Sequence, residues 1–87
     1  MQQASPLSFP CRFPIKIMGA NEPGFEAHAT ALIAAHAGPL AAHDISARHS
    51  RNGRFVSLTI NVSASSQAQL DAIYRSLSAS ERVLMTL

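Results

Sequence analysis

Arg48, His49, Arg51 and Arg54 crowd around an Asn52-Gly53 pair and make the one concentrated basic patch of the chain. Such a cluster meets phosphate or carboxylate, or it merely keeps a turn solvated and discourages edge pairing. A second constellation runs from Gly19 to Phe25, Gly-Ala-Asn-Glu-Pro-Gly-Phe. At a strand-to-helix turn, free backbone N–H groups and the positive end of the helix dipole favour an anion, and glycines let it approach closely. Gly19, Asn21, Gly24 and Phe25 are therefore candidate ligand-binding residues, although the same residues also make an ordinary compact turn.

Other chemistry is poorly supplied. His28, His36, His43 and His49 show no H-x-x-x-H spacing, and there is no C-x-x-C, so no metal site is expected. Ser57, His49 and Asp44 have the residue types of a hydrolytic triad but no G-x-S-x-G elbow and no oxyanion device. Cys11, the lone cysteine, sits beside prolines at the start of a strand, where a structural role is expected and no disulfide within the chain can form. No catalytic residue and no cofactor is expected, and the chain is not read as an enzyme.

The elements that position these residues follow from hydropathic period. Phe13, Ile15 and Ile17 alternate with Pro14, Lys16 and Met18, which predicts a strand ending at Gly19, with Pro14 marking a sheet edge or kink. Asn21, a polar cap candidate, with Glu22 and then Pro23 in the first turn predicts a helix start, and Phe25, Ala29, Leu32, Ile33 and His36 follow at helical spacing. Gly38 in a left-handed conformation, then Pro39, ends that helix. Ala42 to Ser50 predicts a weaker strand, and Asn52-Gly53 a type I′ hairpin turn. Val56, Leu58, Ile60 and Val62 then alternate with Phe55, Ser57, Thr59 and Asn61, which predicts the strongest strand, placed centrally. Ser66 and Gln69 form a capping box before Leu70, Ile73, Tyr74 and Leu77 at i, i+3, i+4 and i+7. Val83, Met85 and Leu87 alternate as a last strand.

The order βαββαβ closes most simply as an α+β, ferredoxin-like fold: a four-stranded antiparallel sheet with both helices on one face. Phe13, Ile15, Ile17, Ile45, Val56, Leu58, Ile60, Val83 and Met85 are expected under the helices, and Lys16, Arg48, Phe55, Ser57 and Thr59 on the bare side. The 87 residues make one domain, 10–87, after a flexible tail at 1–9. Nearly half the residues are apolar (47%) and 14% are charged, which excludes a disordered chain. Seven basic and five acidic residues give a net charge of +2, too small to announce a nucleic-acid partner. No signal segment or membrane span is visible, so a cytoplasmic location is expected.

The stretch Phe9-Pro10-Cys11-Arg12-Phe13-Pro14-Ile15-Lys16-Ile17-Met18-Gly19 resembles the opening of the YbeD-like family of small bacterial proteins of unknown function. Ser50 to Ser57 resembles that family's hairpin; Gln69-Leu70 with Tyr74 and Leu77 its second helix; and Arg82 to Leu87 its terminal strand. The resemblance spans about Phe9 to Leu87. It implies a fold similar to the ACT regulatory domains and carries over no catalytic residue. Asn21-Glu22-Pro23-Gly24-Phe25 is similar to the D-x-P-G-hydrophobic turn of ACT domains, with Asn in place of Asp.

Taken together, these features predict a small non-catalytic regulatory or adaptor domain that engages a small anionic metabolite or a protein partner through the Gly19–Phe25 turn and the open sheet. Helix one, with Ala27, Ala29, Ala31, Ala34, Ala35 and Ala37, and the free sheet edges predict a homodimer, as ACT-like domains pair. The alternative is a nucleic-acid module using Lys16, Arg48, Arg51, Arg54 and Phe55. RNA recognition motifs share this topology, but Arg51 to Leu58 lacks the second-position Gly and third-position aromatic, and Lys16 stands where another stacking ring belongs, so nucleic acid is the less favoured partner.

Overall fold

The strand and helix order expected from the sequence is the order the chain adopts. The computed structural model describes residues 7–86 and contains β1 (Cys11–Ala20), α1 (Phe25–Ala37), β2 (Ile45–His49), β3 (Phe55–Ala64), α2 (Gln67–Ala79) and β4 (Val83–Thr86). The sheet order is β2-β3-β1-β4, with every neighbouring pair antiparallel. Both helices pack on one face, α1 against β3 and α2 against β3 and β4. Of the expected tail at 1–9, residues 1–6 lie outside the described residues, and Phe9 packs against the core.

Period two explains the core. In β3, Val56, Leu58, Ile60, Val62 and Ala64 are buried while the residues between them are not. Ile15 and Ile17 of β1 lie directly opposite Ile60 and Leu58, so one apolar stripe crosses both central strands. Phe25, Ala29 and Ile33 of α1 and Leu70, Ile73 and Leu77 of α2 close over it. Each large side chain so buried contributes about 1.5–3 kcal/mol. Phe13, Ile45 and Val83 pack at the margin of the same cluster.

The expected boundaries shift where local geometry overrides pattern. β1 continues past Gly19 to Ala20, because Ala20 still pairs with Phe55. α1 is capped not by Asn21 but by Gly24, at φ +83°, with no side-chain cap. Gly38 also has φ +83°, but ψ −178° takes it outside the left-handed helical region, into a conformation open essentially to glycine alone. A 3-10 turn, Ala42–Asp44, replaces the start of the expected second strand.

The hairpin turn is not type I′, which needs positive φ at both central residues; among the described residues no non-glycine has positive φ. Instead Gly53 N–H donates to Ser50 O at 2.9 Å and Gly53 itself takes φ +74°. Asn52 Oδ1 accepts from Ser50 Oγ and from the Arg54 N–H, so the asparagine braces the loop by its side chain. The capping box also differs in detail. Ser66 Oγ accepts from Gln69 N–H as expected, but Gln69 Oε1 accepts from Ser65 N–H rather than from that of Ser66.

Met85 is the one clear correction to the expected core. Met18 pairs with Met85 but the next residue, Gly19, pairs with Val83, so Leu84 is an extra residue bulging from β4. The bulge breaks the alternation: Val83 stays on the helix side while Met85 shares a side with Met18 and is 48% exposed.

Pro14 sits in a central strand, yet at an edge. Asn21 N–H donates to Arg54 O in step with the β1–β3 register, so odd-numbered residues of β1 bond toward β3 and even-numbered ones away from it. Pro14 therefore faces the other side, and β4 pairs there only with Ile17–Gly19. The proline's missing donor falls where no described strand needs it.

Candidate functional site

The open face of the sheet is laid out in rows fixed by register. One row is Arg48, Ser57, Met18 and Met85, across β2, β3, β1 and β4; the next is Ser46, Thr59 and Lys16. Lys16, Ser46, Ala47, Arg48, Ser57, Leu58 and Thr59 line a depression of about 350 Å³. Lys16 and Arg48 flank hydroxyls of Ser46, Ser57 and Thr59, and among the described residues neither cation pairs with a carboxylate. Two cations and several O–H groups converging on one hollow suit a carboxylate or a phosphate.

One end of this face is already neutralised. Arg12, opposite Ser63, reaches across β3 to Asp44, the last residue of the 3-10 turn before β2, and forms an ion pair. Asp44 Oδ2 also accepts the Ala41 N–H at 3.1 Å. The Arg12 hydrogen bond, then the Ala41 N–H, hold the Asp44 carboxyl below its ordinary pKa, with the nearby His43 adding to the effect. Both carboxylate oxygens of Asp44 are thus engaged within the fold. The residue lies beyond reach of any triad with Ser57, which is paired in register with Arg48. No group of three or more His, Cys, Asp or Glu able to hold a metal occurs among the described residues.

At the other end, Arg51 and Arg54 are exposed on the hairpin, and Arg54 lies over the Phe55 ring, 6.0 Å from its centroid. Phe55 is 36% exposed and pairs with Ala20 on the open side. The structure thus brings Lys16 and Arg48 to one hollow, sets Phe55 beside the row of Arg48, and leaves Arg51 and Arg54 at the hairpin tip.

The Gly19–Phe25 turn is occupied by packing. Phe25 is buried, and its ring lies where a Cβ on Gly19 would be, with Arg82 O 2.7 Å from that point. Asn21 clips the turn to the hairpin: its Nδ2 donates to Gly53 O at 2.9 Å. Glu22 N–H and Phe25 N–H donate to Ala20 O and Glu22 O. Arg82 was not singled out by the sequence, yet its guanidinium lies over the Phe25 ring and donates to Pro23 O at 3.0 Å. No short motif signals it, because Arg82 and Phe25 meet only through folding. The same holds for Arg12, Met18 and Met85 on the open face.

The family model described as "Protein of unknown function (DUF493)" matches residues 4–87. A UPF0250 protein from Chromobacterium violaceum is 47% identical over 79 residues, 91% of this chain and 89% of that one. Another, from Nitrosomonas europaea, is 37% identical over 87 residues, the whole of both chains. The solution structure of protein HP0495 from H. pylori superposes with a TM-score of 0.79, covering 98% of this chain and 89% of that one, at 16% identity, a likeness of fold alone. No described helix is long and apolar enough to cross a membrane. The expectation drawn from the resemblance holds: the chain belongs to the YbeD-like family, described as protein of unknown function (DUF493).

Proposed function

We propose that this protein is a non-catalytic binding module whose open sheet face takes a carboxylate or phosphate group of its partner. The observation that carries this reading is the hollow in which Lys16 and Arg48 flank three hydroxyl-bearing residues while Arg12, nearby, is already matched by Asp44. The Gly19–Phe25 turn is not assigned the ligand, since Phe25 fills the space beside Gly19 and Asn21 is engaged by the hairpin. Self-association belongs to the same proposal: among the described residues β2 has no neighbour on its outer side, and its residues beyond Ile45 are exposed, an edge that a second copy would complete. Sedimentation equilibrium then gives twice the chain mass.

The test of anion binding is thermal unfolding of the wild type and of the double variant Lys16→Ala, Arg48→Ala against citrate, succinate, inorganic phosphate and nucleoside monophosphates. Binding to the native state raises the midpoint by mass action. The wild type is expected to respond to at least one of these anions and the variant to none. Equal responses in both proteins, or no response from the wild type, would sink the reading.

A further inference from the structure

The open face carries two unlike surfaces side by side. Arg48 of β2 is diagonal to Thr59 of β3, which lies directly opposite Lys16 of β1. Beside them, toward the hairpin and β4, lie Phe55, Met18 and Met85; Met18 and Met85 are direct partners, and Phe55 is diagonal to Met18 through Ser57. Diagonal neighbours on a sheet face stand about 7–8 Å apart, within reach of long side chains. Met85 belongs to this ledge only because of the Leu84 bulge, which turns an apolar side chain of β4 out of the core and leaves it 48% exposed.

Charge is segregated in the same sense. Of the seven basic residues, Arg12, Lys16, Arg48, Arg51 and Arg54 lie on this face or its hairpin, whereas of the five acidic residues only Asp44 does, and it is neutralised by Arg12. The complement of this face is therefore both acidic and apolar. Small-molecule sites enclose roughly 70–90% of their ligand, but here the walls are short side chains, Ser46, Ser57 and Thr59, on a single bare sheet. Four strands about 4.8 Å apart make a platform about 14 Å wide, enough to seat a helix of about 10–12 Å diameter. Nucleic acid fits less well, because it needs successive stacking rings and, among the described residues, Phe55 is the one aromatic on the platform, with the Arg54 guanidinium over its ring. Methionines, unbranched and polarisable, instead suit protein side chains of varied shape.

We infer that the partner of this face is an amphipathic helix of another protein, with acidic side chains along the flank that meets Lys16 and Arg48 and large apolar side chains seated on Phe55, Met18 and Met85. This deepens the anion-binding reading and rests on it.

The chain has three methionines, two of them on the ledge, so methionine-methyl labelling of the whole chain reports directly. The probe is a helix-forming peptide of about 18 residues, five turns, with Glu along one flank and Leu on the adjoining face; the controls are its scrambled sequence, hexaglutamate and a short uridine oligonucleotide. The Met18 and Met85 methyl signals are expected to shift and saturate with the peptide, at an affinity at least about tenfold above every control. Lys16→Ala with Arg48→Ala should weaken it about tenfold or more, while Met18→Gln with Met85→Gln should reduce it to the level of hexaglutamate. Unmoved methyl signals, equal binding of hexaglutamate, or tighter binding of the oligonucleotide would overturn the inference. Amide shifts at Lys16 and Arg48 with hexaglutamate but still methyls with the peptide would overturn it and leave the anion-binding reading standing; no amide shift with any anion would overturn both.

Discussion

The two faces of the sheet are built from the same strands, one residue in and the next residue out, yet they differ in how completely their side chains are matched. Under the helices every large side chain of β1 and β3 meets another, from Ile15 against Ile60 to Phe25 in the space a Cβ of Gly19 would need. On the open face the matching stops halfway: Arg12 has Asp44, while Lys16, Arg48 and the Phe55–Met18–Met85 ledge have no counterpart among the described residues. Completeness of packing marks what holds the fold, and its absence on the open face is the ground for the binding proposed there.

Substitutions on the two faces sharpen that contrast. Ile15→Ala or Leu58→Ala opens a cavity in the core and is expected to cost about 2–5 kcal/mol, measured by urea unfolding; a loss near zero would mean that the helices do not seal this face. Two glycines give the next effect. Gly19→Ala drives a methyl into the Phe25 ring and is expected to cost about 1–3 kcal/mol through overpacking. Gly24 has free space but φ +83°, so Gly24→Asn, a residue that tolerates this conformation, should cost clearly less than Gly19→Ala. The reverse order would contradict the packing assigned to the turn.

The Arg12–Asp44 ion pair neutralises one end of the open face and gives a smaller, pH-dependent effect. The folded-state pKa of Asp44 is lowered, so its contribution is present above the unfolded pKa of about 3.9 and is lost as pH falls through the folded value. Asp44→Asn should therefore lower stability at neutral pH and flatten the acid limb below about pH 4. An acid limb parallel to that of the wild type would show the pair to be idle. Smallest of all in stability is Lys16→Ala with Arg48→Ala, expected within about 0.5 kcal/mol of the wild type for each surface change.

Most of the fold was legible because it is written in local period. Val56 to Val62 alternate without interruption, Leu70 to Leu77 repeat at helical spacing, and both patterns survive folding because nothing tertiary opposes them. The same alternation puts Lys16, Arg48, Phe55, Ser57 and Thr59 on one face, and the strand register does the same. Met85 was misplaced because an extra residue in a strand leaves no mark on a short alternating run. Asn21 was misread as a cap because an asparagine before a helix has the same composition whether it caps or, as here, reaches the hairpin at Gly53. Arg12 with Asp44 and Arg82 with Phe25 join residues far apart in sequence, and no spacing rule brings such pairs together.

The central claim, that the open face is the unmatched and therefore binding side of the molecule, is tested most directly by amide chemical-shift mapping of the whole chain titrated with hexaglutamate. Saturable shifts centred on Lys16, Ser46, Arg48, Ser57 and Thr59, absent from the Lys16→Ala, Arg48→Ala variant, are the predicted result. Shifts centred instead on Gly24 to Ala27 at the start of α1 would contradict it and return the anion site to the turn.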